Sequence, residues 1–105
     1  MSEWVKVGSA GEVPDGDVMA FTAGERQIAI ANVEGDLHAF DDLCTHQQCS
    51  LAEGELDGTT IECACHGSMF DVTSGEAIQG PAVDPVGVYP VAEEDGELRV
   101  RIDEE

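Results

Sequence analysis

Residues 44–70 read CTHQQCSLAEGELDGTTIECACHGSMF, and two short boxes frame the stretch: Cys44-Thr45-His46 and Cys63-Ala64-Cys65-His66. Sixteen residues, 47–62, separate the boxes. Each box gives one thiol and one imidazole, so together they offer two sulfurs and two nitrogens. Soft thiolates with imidazoles suit zinc or an iron–sulfur centre. Zinc sites usually draw two ligands from one turn at C-x-x-C spacing and a later pair of His from a helix. Here each box mixes Cys with His, and the sequence contains no helical His pair. That weighs toward iron, but it leaves zinc, or thiols without metal, open.

The pattern C-T-H-x16-C-x-C-H-G-S resembles the Rieske family, in whose [2Fe–2S] centre two His replace two Cys on one iron. A loop carrying one Cys and one His can reach both irons. The resemblance implies that Cys44 and Cys63 bind one iron as thiolates, while His46 and His66 bind the other as neutral imidazoles. Four thiolates would leave an oxidised two-iron cluster with two negative charges; two imidazoles in their place bring it to neutrality, so an added electron is better tolerated. Potentials of such centres run from about −150 to +300 mV. In the family the His side lies near the surface, bound through Nδ1 with the outer nitrogen exposed. His46 and His66 are therefore the implied electron exit, where electron uptake could couple to a proton.

The resemblance carries further implications for residues beside the boxes. Cys49 and Cys65 occupy the positions where respiratory-chain Rieske proteins join the two cluster loops by a disulfide. Their joint presence at those positions implies a Cys49–Cys65 bridge; many soluble dioxygenase ferredoxins lack the pair, and two buried free thiols are the alternative in a reducing compartment. High-potential relatives place a Ser hydroxyl on a bridging sulfide and a Tyr hydroxyl on a Cys sulfur; here Ser68 holds the first position and Phe70 the second. One donor kept and one lost implies an intermediate potential. Gly80-Pro81-Ala82 resembles the proline loop that covers the cluster, and Pro81 would help exclude water. His38 has no paired Cys and reads as a structural strand residue.

The chain of 105 residues is enough for one domain. The expectation is a single domain over 1–105, with a cluster-binding subdomain at about 43–82 inserted into a base formed by the remainder; the insertion follows from the resemblance. Twenty-three acids face four bases, giving a net charge of −19. Such a surface repels phosphate backbones and anionic bilayers, so neither nucleic acid nor membrane is an expected partner. It suits solubility, salt tolerance or encounter with basic protein surfaces. With a hydrophobic fraction of 42% and patterned apolar residues, disorder is not implied. No apolar run approaches a membrane span, and the N-terminus lacks a basic region followed by an apolar one. The expected location is the cytoplasm, where thiols favour metal binding over a disulfide framework.

Apolar alternation and turn signals predict short strands at Trp4–Val7, Val18–Thr22, Gln27–Val33, Leu37–Phe40, Thr59–Glu62, Met69–Val72, Tyr89–Val91 and Leu98–Ile102. Turns are expected at Glu34-Gly35-Asp36, Asp57-Gly58 and Glu94–Glu97, and residues 51–56 read as loop. No helical period persists for ten residues. The fold class is all-β, and with the resemblance it becomes a Rieske-type antiparallel β-sandwich carrying a small cluster-binding subdomain.

Within the family, respiratory subunits need a membrane anchor, arsenite-oxidase small subunits an export signal, and oxygenase terminal components a further catalytic domain. The chain is most similar to the ferredoxins of bacterial ring-hydroxylating dioxygenase systems, through Cys65–Ala77 and the later Val88-Tyr89-Pro90-Val91. The implied role is that of a monomeric one-electron carrier, not an enzyme. It would take electrons from an NAD(P)H-dependent flavoprotein ferredoxin reductase to the terminal Rieske oxygenase of a carbazole- or biphenyl-type system. Two alternatives stay open: the Rieske-like small subunit of an assimilatory nitrite reductase, and a zinc-stapled interaction module.

Overall fold

The computed structural model describes residues 2–24, 26–43, 49–65, 67–80 and 84–103. Within them the chain forms strands β1 (Ser2–Ser9), β2 (Val18–Ala23), β3 (Arg26–Val33), β4 (Asp36–Asp41), β5 (Glu55–Asp57), β6 (Thr60–Glu62), β7 (Met69–Asp71), β8 (Ala77–Gln79), β9 (Val88–Tyr89), β10 (Val91–Glu94) and β11 (Glu97–Asp103). One 3-10 turn, Leu51–Glu53, is the only helical element among the described residues. No helix there is long and apolar enough to cross a membrane.

Three antiparallel sheets result, in the orders β1-β11-β10, β2-β3-β4-β9 and β5-β6-β7-β8. The middle sheet joins the other two through β3. Side chains on a strand alternate between faces. Ile28 and Ile30 pack with Phe21, Ala39, Leu98 and Val100, against the β1-β11-β10 sheet. Ala29 and Ala31 belong to a second core with Phe40, Leu51, Ile61, Cys63 and Phe70. Large residues thus fill the base sandwich, while the alanine face of β3 receives the 3-10 turn with its buried Leu51. Each fully buried Ile or Phe contributes on the order of 1.5–3 kcal/mol of transfer free energy.

The hairpin turns follow their chemistry. Glu34-Gly35 and Asp95-Gly96 both take positive φ at both positions, at 55° and 93°, then 52° and 76°. That is the two-residue turn whose twist matches the flanking strands. Elsewhere the structure departs from the sequence expectations. Residues 51–56 are not simply loop: they contain the 3-10 turn and the start of β5. β8 gave no clear alternation in so short a segment. The expected strand Tyr89–Val91 is broken at Pro90, which has no N–H to donate. Tyr89 pairs with Ala39 in the middle sheet, whereas Val91 pairs with Val100 in the outer one. One proline thereby passes the chain from one sheet to the other.

Candidate metal centre

The first box follows the end of β4. An isolated bridge pairs Leu43 with Ser50, closing the stems of the loop between them. Beneath that bridge lies Asp42, which is fully buried. Its Oδ1 accepts the Ala52 N–H at 2.9 Å, and its Oδ2 accepts the Ser50 hydroxyl at 2.7 Å and the Gln27 side-chain amide. Its carbonyl accepts the Leu51 N–H at 2.6 Å. Leu51, also fully buried, plugs the second core, so the outgoing stem is held by packing as well as by hydrogen bonds.

The second box caps the β6–β7 hairpin. Cys63 N–H donates to the Ser68 carbonyl at 2.7 Å, and Gly67 N–H donates to the Cys63 carbonyl at 3.0 Å. Gly67 has φ of 75°, a conformation glycine adopts without steric cost. Cys63 is buried in the second core, and Ser68, whose carbonyl it meets across the turn, is fully buried as well. Phe70 pairs with Ile61 across the hairpin and is a core residue.

A disulfide joins Cys49, at the end of the first loop, to Cys65 in the second box, with their Cα atoms 6.5 Å apart. The sulfurs of Cys49, Cys63 and Cys65 all lie within 4.8 Å of one another. Two of them are bonded together, so the trio is not a three-thiolate metal site. Cys63 is the free thiol among the described residues. The donor chemistry therefore fits a Rieske cluster. With Cys49 and Cys65 withdrawn as a staple, each box retains one Cys and one His. Cys44, His46, His66 and Pro81 lie outside the described residues.

Around the second box runs an open groove of about 460 Å³ lined by Glu53, Gly54, Glu55, Glu62, Cys63 and Ala64. Its three carboxylates give the neighbourhood of the free thiol a negative character. His38 sits on β4 opposite Ala31 and lines a different groove with Leu37, Val72 and Pro90. The sequence does not single out the Asp42 hub. Two adjacent acids at a strand end were the only available signal, and in a chain this acidic they do not stand out.

Comparison with known proteins agrees with this geometry. The Rieske [2Fe-2S] domain model matches residues 3–90. The chain is 37% identical over 101 residues to the ferredoxin component of the naphthalene 1,2-dioxygenase system of Pseudomonas putida, covering 96% of this chain and 95% of that one. Among solved structures, Sphingomonas yanoikuyae B1 ferredoxin superposes with a TM-score of 0.89 at 34% identity, covering 96% of this chain and 100% of that one. A chain from the complex of reduced oxygenase and oxidised ferredoxin in carbazole 1,9a-dioxygenase gives a TM-score of 0.85 at 37% identity, covering 92% and 91%. With the stapled loops, the free Cys63 thiol and a family match over most of its length, this chain belongs to the Rieske [2Fe-2S] domain family.

Proposed function

We propose that this protein is the ferredoxin of an aromatic ring-hydroxylating dioxygenase system, a one-electron carrier and not itself a catalyst. The single observation that carries the reading is its similarity, over 96% of its length, to the ferredoxin component of a naphthalene dioxygenase system. In this reading Cys44 and Cys63 hold one iron of a [2Fe–2S] cluster, and His46 and His66 hold the other. The bound cluster supplies one reversible electron. The protein's own residues do the rest: the staple keeps the boxes together, the buried surroundings of Cys63 exclude water, and Ser68 and Pro81 tune and cover the site. The whole chain acts as one domain, with the region of about 43–82 as its cluster-bearing part.

The electron donor is an NAD(P)H-dependent flavoprotein reductase and the acceptor a terminal Rieske oxygenase, of the carbazole- or biphenyl-oxidising type. The carrier works as a cytoplasmic monomer that docks to each in turn. Such exchange needs a weak interface, and opposite charge speeds encounter without tightening it greatly. The Glu53, Glu55 and Glu62 groove beside Cys63 supports this reading. The match of the Rieske [2Fe-2S] domain model over residues 3–90 favours an iron–sulfur cluster over a zinc-stapled module at the same four residues.

The test is anaerobic purification followed by iron and sulfide analysis, then reconstitution with a flavoprotein reductase and a terminal oxygenase. The expected result is two irons and two sulfides per chain, a red-brown colour, and electron delivery that slows as salt is raised. Colourless, iron-free protein that is fully folded would overturn the reading.

A further inference from the structure

We propose that the adjacent residues Asp41 and Asp42 are positioning residues for the cluster, each clamping the return stem of a different loop beside the site. The inference rests on the Rieske reading above and goes beyond it, since neither residue is a ligand or a neighbour of Cys63 in the chain.

Asp42 serves the first ligand loop. Its buried carboxylate gathers Gln27 from β3, Ser50 from the outgoing stem and Ala52 from the 3-10 turn. All three side-chain contacts bring donors to an acceptor. The loop that carries Cys44 and His46 is thereby fixed at both ends to one buried group, two residues before Cys44. Asp41 serves the other side. Its Oδ1 accepts the Tyr89 hydroxyl at 2.5 Å and its Oδ2 accepts the Gly87 N–H at 3.0 Å. Its own N–H donates to the Gly87 carbonyl at 2.9 Å. A Cβ at Gly87 would sit only 2.9 Å from Asp41 Oδ2, so a side chain there would have to displace the carboxylate. Gly87 follows the Gly80-Pro81-Ala82 segment, and Val86 N–H donates to Gly75 at 2.9 Å, which ties the same stem to the turn after β7. Three loops therefore refer their positions to the end of one strand.

Asp42→Asn is the sharp variant. It keeps the shape but replaces one acceptor oxygen by an NH₂ group that faces donors. A buried donor left facing a donor is costly. Ser50→Ala removes one contact from the same hub, and Tyr89→Phe removes one from Asp41. Leu98→Ala, in the base core and hydrogen-bonded to neither aspartate side chain, is the control for general destabilisation.

The experiment follows cluster loss from the full-length holoprotein by visible absorbance. It also records the paramagnetic spectrum and midpoint potential of the loaded fraction. Asp42→Asn is expected to lose its cluster on the order of tenfold faster than wild type, as outer-shell changes at metal sites do. Its reduced-state spectrum or potential should shift, whereas Leu98→Ala should leave both at wild-type values. Ser50→Ala and Tyr89→Phe should move in the same direction by less, and they decide the matter if Asp42→Asn does not fold. Spectra and potentials unchanged in all three, with cluster loss no faster than in Leu98→Ala, would overturn the clamp. Wild-type protein without a cluster would instead overturn the Rieske reading on which the clamp rests.

Discussion

The Tyr89 hydroxyl donates to the Asp41 carboxylate at 2.5 Å, joining β9 to the end of β4. Arg26 Nη1 donates to the same hydroxyl at 3.2 Å. Burial raises the Tyr89 pKa above its usual 10.0, and the hydrogen bond to Asp41 and that residue's charge raise it further; Arg26 opposes the shift in part. A group whose folded pKa is raised binds its proton more tightly in the native state. Its contribution to stability is complete below pH 10 and is lost as pH rises through the folded value. Tyr89 is the only tyrosine in the chain, so phenolate absorbance reports it alone. The titration midpoint should lie above 10.0 in native protein and fall toward it in Asp41→Asn. A native midpoint at or below 10.0 would mean that the contact does not form in solution.

The Cys49–Cys65 staple closes a loop with a sequence separation of 16 residues. In the chain-entropy picture a loop of that length is worth about 3 kcal/mol. The double variant Cys49→Ser with Cys65→Ser should be destabilised by roughly 2–4 kcal/mol in denaturant unfolding. Alkylation of denatured protein without reductant should label Cys44 and Cys63 only. Four labelled cysteines would refute the staple.

Gly54 packs so tightly on β6 that a Cβ there would overlap the Glu62 carbonyl oxygen. The 3-10 turn that follows the first loop thus rests directly on the strand that leads into Cys63. Gly54→Ala must push the two apart, at a cost of about 1–3 kcal/mol typical of overpacking. Thermal unfolding measures this, and an unchanged midpoint would show that the turn moves freely.

Ser68 is fully buried, and in the proposed Rieske reading it is the residue that donates to a bridging sulfide. A donor there stabilises the extra negative charge of the reduced cluster. The midpoint potential of Ser68→Ala should therefore fall below that of wild type. A potential identical to wild type would remove Ser68 from the tuning residues.

β11 is legible from alternation because Leu98, Val100 and Ile102 bury one face, and β3 from an unbroken apolar run because it is buried on both faces. Ile28-Ala29-Ile30-Ala31 announces a buried strand without saying that the two faces meet different partners. Short strands such as Ala77–Gln79 carry too few residues for a period to emerge. The break at Pro90 was written in the residue itself, yet the change of sheet across it depends on partners far away in the chain. At the site, Cys63 could be singled out because ligand chemistry restricts residue type. Asp42 could not: an aspartate looks the same in sequence whether it is solvated or enclosed by Gln27, Ser50 and Ala52.

The central claim is a cluster held by sulfur on one iron and by His46 and His66 on the other. Pulsed electron paramagnetic resonance of the reduced protein, grown with nitrogen-15 histidine, tests it most directly. The account predicts coupling to two histidine nitrogens, lost in part when either His46 or His66 is replaced while His38 is left in place. A reduced cluster without histidine nitrogen coupling, or no paramagnetic cluster in folded anaerobic protein, would contradict it.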